Sequence, residues 1–84
     1  MLKTLDTTEA MYIAFSNDKV ARSEEVIDSV LIIDYNSAGK PIGIEVLSPV
    51  RISDLEQYVD PHARKPFRKF IRSTAPDELL LARA

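Results

Sequence analysis

The stretch Asp34 to Leu47, DYNSAGKPIGIEVL, constrains this chain more than any other, because it encodes a β-hairpin whose two strands are apolar on both faces. Side chains alternate strictly along a strand, so an apolar run leaves neither face polar enough for water. Such a sheet needs two covers. A chain of 84 residues has little beyond the strands to supply them. The pattern therefore predicts self-association or a partner before it predicts chemistry.

Asn36-Ser37-Ala38-Gly39 has a turn former first and glycine fourth, which fits a type I turn followed by a left-handed glycine. That turn sets Asn36 opposite Lys40, Asp34 opposite Ile42, Ile32 opposite Ile44 and Val30 opposite Val46. One face then carries Val30, Ile32, Ile42, Ile44 and Val46. The other carries Leu31, Ile33, Tyr35, Gly43, Glu45 and Leu47.

At this length folding buries only about 60–65% of the unfolded surface, so oligomerisation would add needed stability. There is no cysteine and one histidine. Disulfides, thiolate sites and a multi-histidine metal site within one subunit are excluded, and neither a metal nor a cofactor is expected. No run approaches the roughly 20 apolar residues of a membrane span, and the expectation is a soluble, cytoplasmic protein without a membrane role. The net charge of −2 conceals an asymmetry: residues 1–61 hold eleven acids and five bases, residues 62–84 two acids and six bases. A basic tail of this kind serves nucleic acid, or docks on the acidic part of its own fold or of a neighbour.

Along the chain, Leu2–Asp6, Met11–Phe15 and Val20–Ile27 read as strands separated by polar turns, the third polar in its middle. With the hairpin they make an antiparallel meander of about five strands. After Leu47 the period becomes helical. Ser48-Pro49 or Ser53 opens a helix with Ile52, Leu55 and Val59 on one face, and Asp60-Pro61 ends it. Lys65-Pro66 starts a second short helix with Phe67, Phe70 and Ile71 on one side, and residues 77–81 form a last helical turn. The predicted class is α+β: a meander packed with one main C-terminal helix and a short helical extension. Residues 1–59 form the domain, and residues 60–84 a basic extension that packs on it or on a neighbouring subunit. The expected core is Met11, Ile13, Phe15, Val30, Ile32, Ile42, Ile44, Val46, Ile52 and Leu55.

Several segments in this order carry a resemblance: a tyrosine strand after an acidic turn (Glu9 to Phe15), Ala-Arg-Ser-Glu-Glu-Val (Ala21 to Val26), Asp34-Tyr35 before Gly39, and Gly43-Ile44-Glu45. Over residues 9–47 the chain resembles the bacterial family known as domain of unknown function 2283. The family has no established activity to carry over. Some members are encoded beside small ribonuclease-toxin-like proteins, so the resemblance implies an antitoxin-like role. The basic, proline-broken extension departs from the family pattern.

Candidate chemistry is sparse. Glu24 and Glu25 are adjacent on a strand and point to opposite faces, so they share no substrate within one subunit. Glu45 lies on an otherwise apolar face and needs a partner, for which Arg22 is the candidate in a structural ion pair. Asp34 reads as a turn acceptor. His62 lies alone in a loop. Ser16, Ser23 and Ser29 lack a histidine in sequence context, and two glycines make no phosphate loop.

The chain is therefore expected not to be an enzyme. It reads as a protein-interaction module, a homodimer that offers Glu24, Glu25 and Asp28 to a basic protein partner and associates through Leu31, Ile33, Tyr35, Leu47, Phe67, Phe70 and Ile71. An alternative is nucleic-acid binding through Arg64, Lys65, Arg68, Lys69 and Arg72, disfavoured because Phe67, Phe70 and Ile71 fall on one helical face and should bury. A second alternative is a small-molecule binder or hydrolase with a pocket around Tyr35 and Glu45 at the dimer seam.

Overall fold

The structure is a computed structural model that describes residues 3–6, 10–75 and 77–81, with side chains described for 10–75 and 78–81. The expected strand start at Leu2, the acidic turn at residues 7–9 and the break at Pro76 lie outside the described residues. Strands β1 (Lys3–Asp6), β2 (Met11–Ala14), β3 (Arg22–Ile27), β4 (Leu31–Tyr35) and β5 (Pro41–Val46) lie in the order β1-β2-β5-β4-β3, every neighbouring pair antiparallel. Four of them, β2 to β5, carry the described side chains of the sheet. β1 adds its backbone along β2.

This order corrects the predicted meander. β3, β4 and β5 do follow one another, but β2 pairs with β5 and not with β3. The reason lies in polarity. Apolar β5 gains most from a place inside the sheet, whereas β3, exposed at nearly every position, suits a rim. The link from β2 to β3 passes the turn end of the hairpin. There Phe15 N–H donates to the Ile42 carbonyl at 2.8 Å, Asn36 Nδ2 to Asp18 at 3.1 Å, and Ala21 N–H to the Tyr35 carbonyl at 2.7 Å.

The hairpin turn forms as the residues dictate. Asn36 N–H donates to the Lys40 carbonyl at 3.0 Å, the Asn36 side chain accepts from Ala38 and Lys40 N–H, and Gly39 takes φ +81°. The register beyond it is not the expected one. Tyr35 opposes Pro41, but Asp34 opposes Gly43, so Ile42 is an extra residue on β5. Proline has no N–H for the ladder, and a bulge beside it, next to a glycine, is where a strand absorbs one residue. The slip exchanges the faces of β4. Leu31 now lies opposite Val46, which pairs with Met11, and Ile33 opposite Ile44, which pairs with Ile13. All six are fully buried. Val30, Ile32 and Phe15, expected in the core, are half-buried.

One cover lies on this face. Helix α1 (Ile52–Glu56) and helix α2 (Arg64–Thr74) bring Ile52, Leu55, Phe67 and Ile71 onto the sheet, in one core with Val50, Val59, Ala75, Leu79 and Leu80. α1 starts between the two serines that could have opened it. Arg51 is its N-cap, and its N–H donates to Asp54 at 3.1 Å. α2, with Pro66 in its first turn, keeps Phe67 and Ile71 buried and Phe70 half-buried, as its periodicity predicts. Val50 pairs in parallel with Leu80, donating to the Leu79 carbonyl and accepting from Leu81 N–H, each at 2.9 Å. The C-terminal residues thus belong to the same core as the sheet.

Candidate functional site

The opposite sheet face has no described element over it. Two rows of side chains cross it. The first runs Tyr12, Glu45, Ile32, Glu25, and the second Ala14, Gly43, Asp34, Ser23, each row read from β2 through β5 and β4 to β3. The bulge that buries Leu31 and Ile33 is also what turns Ile32 and Asp34 onto this face.

A hydrogen-bonded bridge spans it. The Tyr12 hydroxyl donates to Asp34 Oδ2 at 2.8 Å, and the Ser23 hydroxyl donates to Asp34 Oδ1. To reach Asp34 from β2, the Tyr12 side chain must cross β5, and it does so over Gly43. A Cβ built there would clash with the tyrosine hydroxyl and lie 2.7 Å from Cζ. Glycine is thus required by close approach. Burial, the hydrogen bond to Asp34 and the charges of Asp34 and Glu45 push the Tyr12 phenol up to about 12. The phenol therefore holds its proton at neutral pH, and it and Ser23 both donate to one carboxylate. What the face offers outward is acceptor oxygen and negative charge from Glu25, Asp34 and Glu45, around half-buried Tyr12, Ala14 and Ile32.

The predicted site residues are redistributed. Of Glu24, Glu25 and Asp28, Glu25 alone is on this face; Glu24 opposes Ile33 on the helix side, and Asp28 sits in the β3–β4 turn. Arg22 and Glu45 are on opposite faces. Arg22 pairs instead with Glu24 at 3.1 Å and lies 4.2 Å above the Tyr35 ring. Of the expected association surface, Leu31, Ile33, Phe67 and Ile71 are inside the core and unavailable to a neighbour, while Tyr35, Leu47 and Phe70 are half-buried. Tyr35 and Glu45 are likewise on opposite faces, so within one copy they line no common pocket.

The basic helix turns part of its charge inward. Arg64 Nε donates to the carbonyls of Glu56 and Val59 at 3.0 and 3.2 Å, closing the end of α1. Arg68 donates to Glu56 through Nε and Nη2, at 2.7 Å in the closest contact. Glu56, 9% exposed, is a residue that sequence reasoning missed. Its partner lies twelve positions away, beyond any local spacing rule. Lys65 and Lys69 are exposed on the outer side of α2. Beside this layer runs a groove of about 540 Å³, floored by Phe15, Pro41, Tyr58, Val59 and Phe67. Phe15 and Phe67 meet there with ring centroids 5.8 Å apart.

The architecture defines a two-layer α+β module in which helices cover one sheet face and a polar, acid-lined face stays open. The chain belongs to the family described as "Protein of unknown function (DUF2283)", whose model matches residues 6–48. That span contains β2 to β5 and stops before the helical layer. No curated protein and no solved structure matches the chain. Among the described residues no helix is long and apolar enough to cross a membrane.

Proposed function

We propose that this protein is a non-catalytic interaction module, acting as a homo-oligomer, whose open sheet face receives a basic partner protein. The observation that carries the reading is the set of three carboxylates, Glu25, Asp34 and Glu45, on a flat sheet face with no described element above it. Asp34 is held in place by Tyr12 and Ser23, and such pre-organisation suits recognition of guanidinium and ammonium groups. Half-buried Ile32 and Ala14 supply apolar contact between the charges. A ribonuclease-like toxin has a basic phosphate-binding surface of the kind this face complements, which makes the role antitoxin-like.

The test is calorimetric titration of the protein against the basic product of an adjacent gene. A complex is expected whose affinity falls with salt, and each of Glu25→Lys and Glu45→Lys should weaken it by about tenfold or more. Absence of a complex, or a complex indifferent to both reversals, overturns the reading. Should the reversals leave binding intact while neutralising Lys65 and Lys69 abolishes binding to RNA, the nucleic-acid alternative takes its place.

A further inference from the structure

β3 is a rim strand: it pairs with β4 on one side, and no described strand pairs with its other edge. Unpaired strand edges accept another strand unless charge, proline or bulges deny it. The charges on this edge are arranged in a particular order. On the helix-side face the strand presents Arg22 and Glu24, and a bulge between Glu25 and Ile27 then breaks the alternation at Val26. Val20, before the strand, is 43% exposed, and Val26 packs against the core margin. Arg22 and Glu24 are about half exposed, at 52% and 48%.

An antiparallel pairing of two β3 edges about a twofold axis perpendicular to the sheet keeps both helical layers on the same side. Opposing residues then come from the same face. Centred on Ser23, the pairing sets Arg22 opposite Glu24 of the second copy and Glu24 opposite its Arg22. The bulge falls after Glu25, so the regular edge open to this pairing runs from residue 21 to residue 25. Shifting by two residues to a centre at Glu24 opposes Glu24 to itself, and a shift to Arg22 opposes Arg22 to itself. Both alternatives set like charges face to face, which destabilises an antiparallel pair. Of these three registers the Ser23-centred one alone sets unlike charges opposite each other at both Arg22 and Glu24. On the open face it brings Ser23 against Ser23 and Ala21 against Glu25, with no opposed like charges.

We propose that the free edge of β3 pairs antiparallel with β3 of a second copy of this chain, centred on Ser23. The proposal rests on the homo-oligomer part of the reading above and not on the basic partner. The two sheets become continuous, and the in-strand Arg22–Glu24 pairs merge into an alternating cluster of four charges. The acidic faces of both copies then lie side by side.

The experiment is sedimentation equilibrium of the full chain at sub-millimolar concentration and moderate salt, with circular dichroism confirming the fold of each variant. The wild type is expected at twice the chain mass. Arg22→Glu and Glu24→Arg should each raise the apparent dissociation constant by at least about tenfold. The double swap R22E/E24R restores complementarity and should restore the dimer. Glu45→Lys on the open face should leave the mass unchanged. A monomeric wild type, a dimer unaffected by the single reversals, or a double swap that stays monomeric overturns the proposal. The mass reads the edge and partner affinity reads the face, so each idea fails by its own measurement.

Discussion

Replacing Gly43 by alanine tests the open face at its tightest point. The new Cβ would clash with the Tyr12 hydroxyl and lie 2.7 Å from Cζ. The backbone there cannot retreat, because Gly43 is paired with Ala14 on one side and Asp34 on the other. The tyrosine must swing outward and release its 2.8 Å bond to Asp34. A hydrogen bond to a charged group contributes about 1.5–3 kcal/mol, and the lower end applies on a face open to water. Alanine in a strand recovers roughly 0.5–1 kcal/mol relative to glycine. The net loss is about 1 kcal/mol, which for a domain of this size lowers Tm by about 4–8 °C. Calorimetry gives that shift. Ultraviolet titration of the tyrosines gives an independent readout, since the phenol at about 12 should return toward 10 once it leaves Asp34. In a double-mutant cycle, Tyr12→Phe should cost less in the Gly43→Ala background than in the wild type, because the bond it removes is already gone. A Gly43→Ala protein with undiminished Tm and an unchanged high Tyr12 pKa would refute the reasoning.

The β4 register is checked by a pair of substitutions: Ile33→Ala, at a fully buried position, should cost about 2–5 kcal/mol, and the neighbouring Ile32→Ala on the open face no more than about 1.5 kcal/mol in chemical denaturation. Equal losses would restore the unbulged register. Arg68→Ala strands the largely buried Glu56 carboxylate and should cost about 1–3 kcal/mol, with Glu56→Gln in the same chain recovering part of it. The Tyr12 phenol is raised in the folded state, so its contribution is fully present below pH 10 and is lost as pH rises from 10 toward about 12, where the unfolded chain gives up the proton first. Denaturation midpoints of wild type and Tyr12→Phe should converge across that window. A chain ending at Val59 loses Phe67, Ile71, Ala75, Leu79 and Leu80 from the core and should show no cooperative unfolding transition.

How much could be read from the residues differs from place to place for physical reasons. The turn at Asn36–Gly39 is local chemistry, and it forms as its residues require. The strands and both helices follow from period and from proline positions, which are also local. The faces of β4 did not follow, because a single extra residue reverses them. Pro41 and Gly43 were the available signal: a proline that cannot donate, followed two positions later by a glycine inside an apolar strand, marks a bulge or a close approach, and here both occur. The polar middle of β3 similarly marked a rim strand. Reading it as such would have removed the meander order, since a rim strand cannot sit between β2 and β4. The Tyr12–Asp34 bridge and the Glu56–Arg68 pair join residues 22 and 12 positions apart, and no periodicity reports such partners.

The charge asymmetry of the chain acquires its meaning from the same geometry. Arg64 and Arg68 in the basic segment are directed at the end of α1 and at Glu56, which binds the extension to the sheet's cover. Glu25, Asp34 and Glu45 have no described cover; they remain on the open face. The family match, residues 6–48, holds that open face and the free β3 edge together, whereas the helices that seal Met11, Ile13, Leu31 and Ile33 lie beyond it. In this chain the matched part therefore carries the open face and the β3 edge, and the extension seals the other face of the sheet. Substitutions in residues 50–81 should accordingly alter stability before they alter recognition. Substitutions of Glu25, Glu45, Arg22 or Glu24 should do the reverse, because each of these side chains is accessible and none is part of the core.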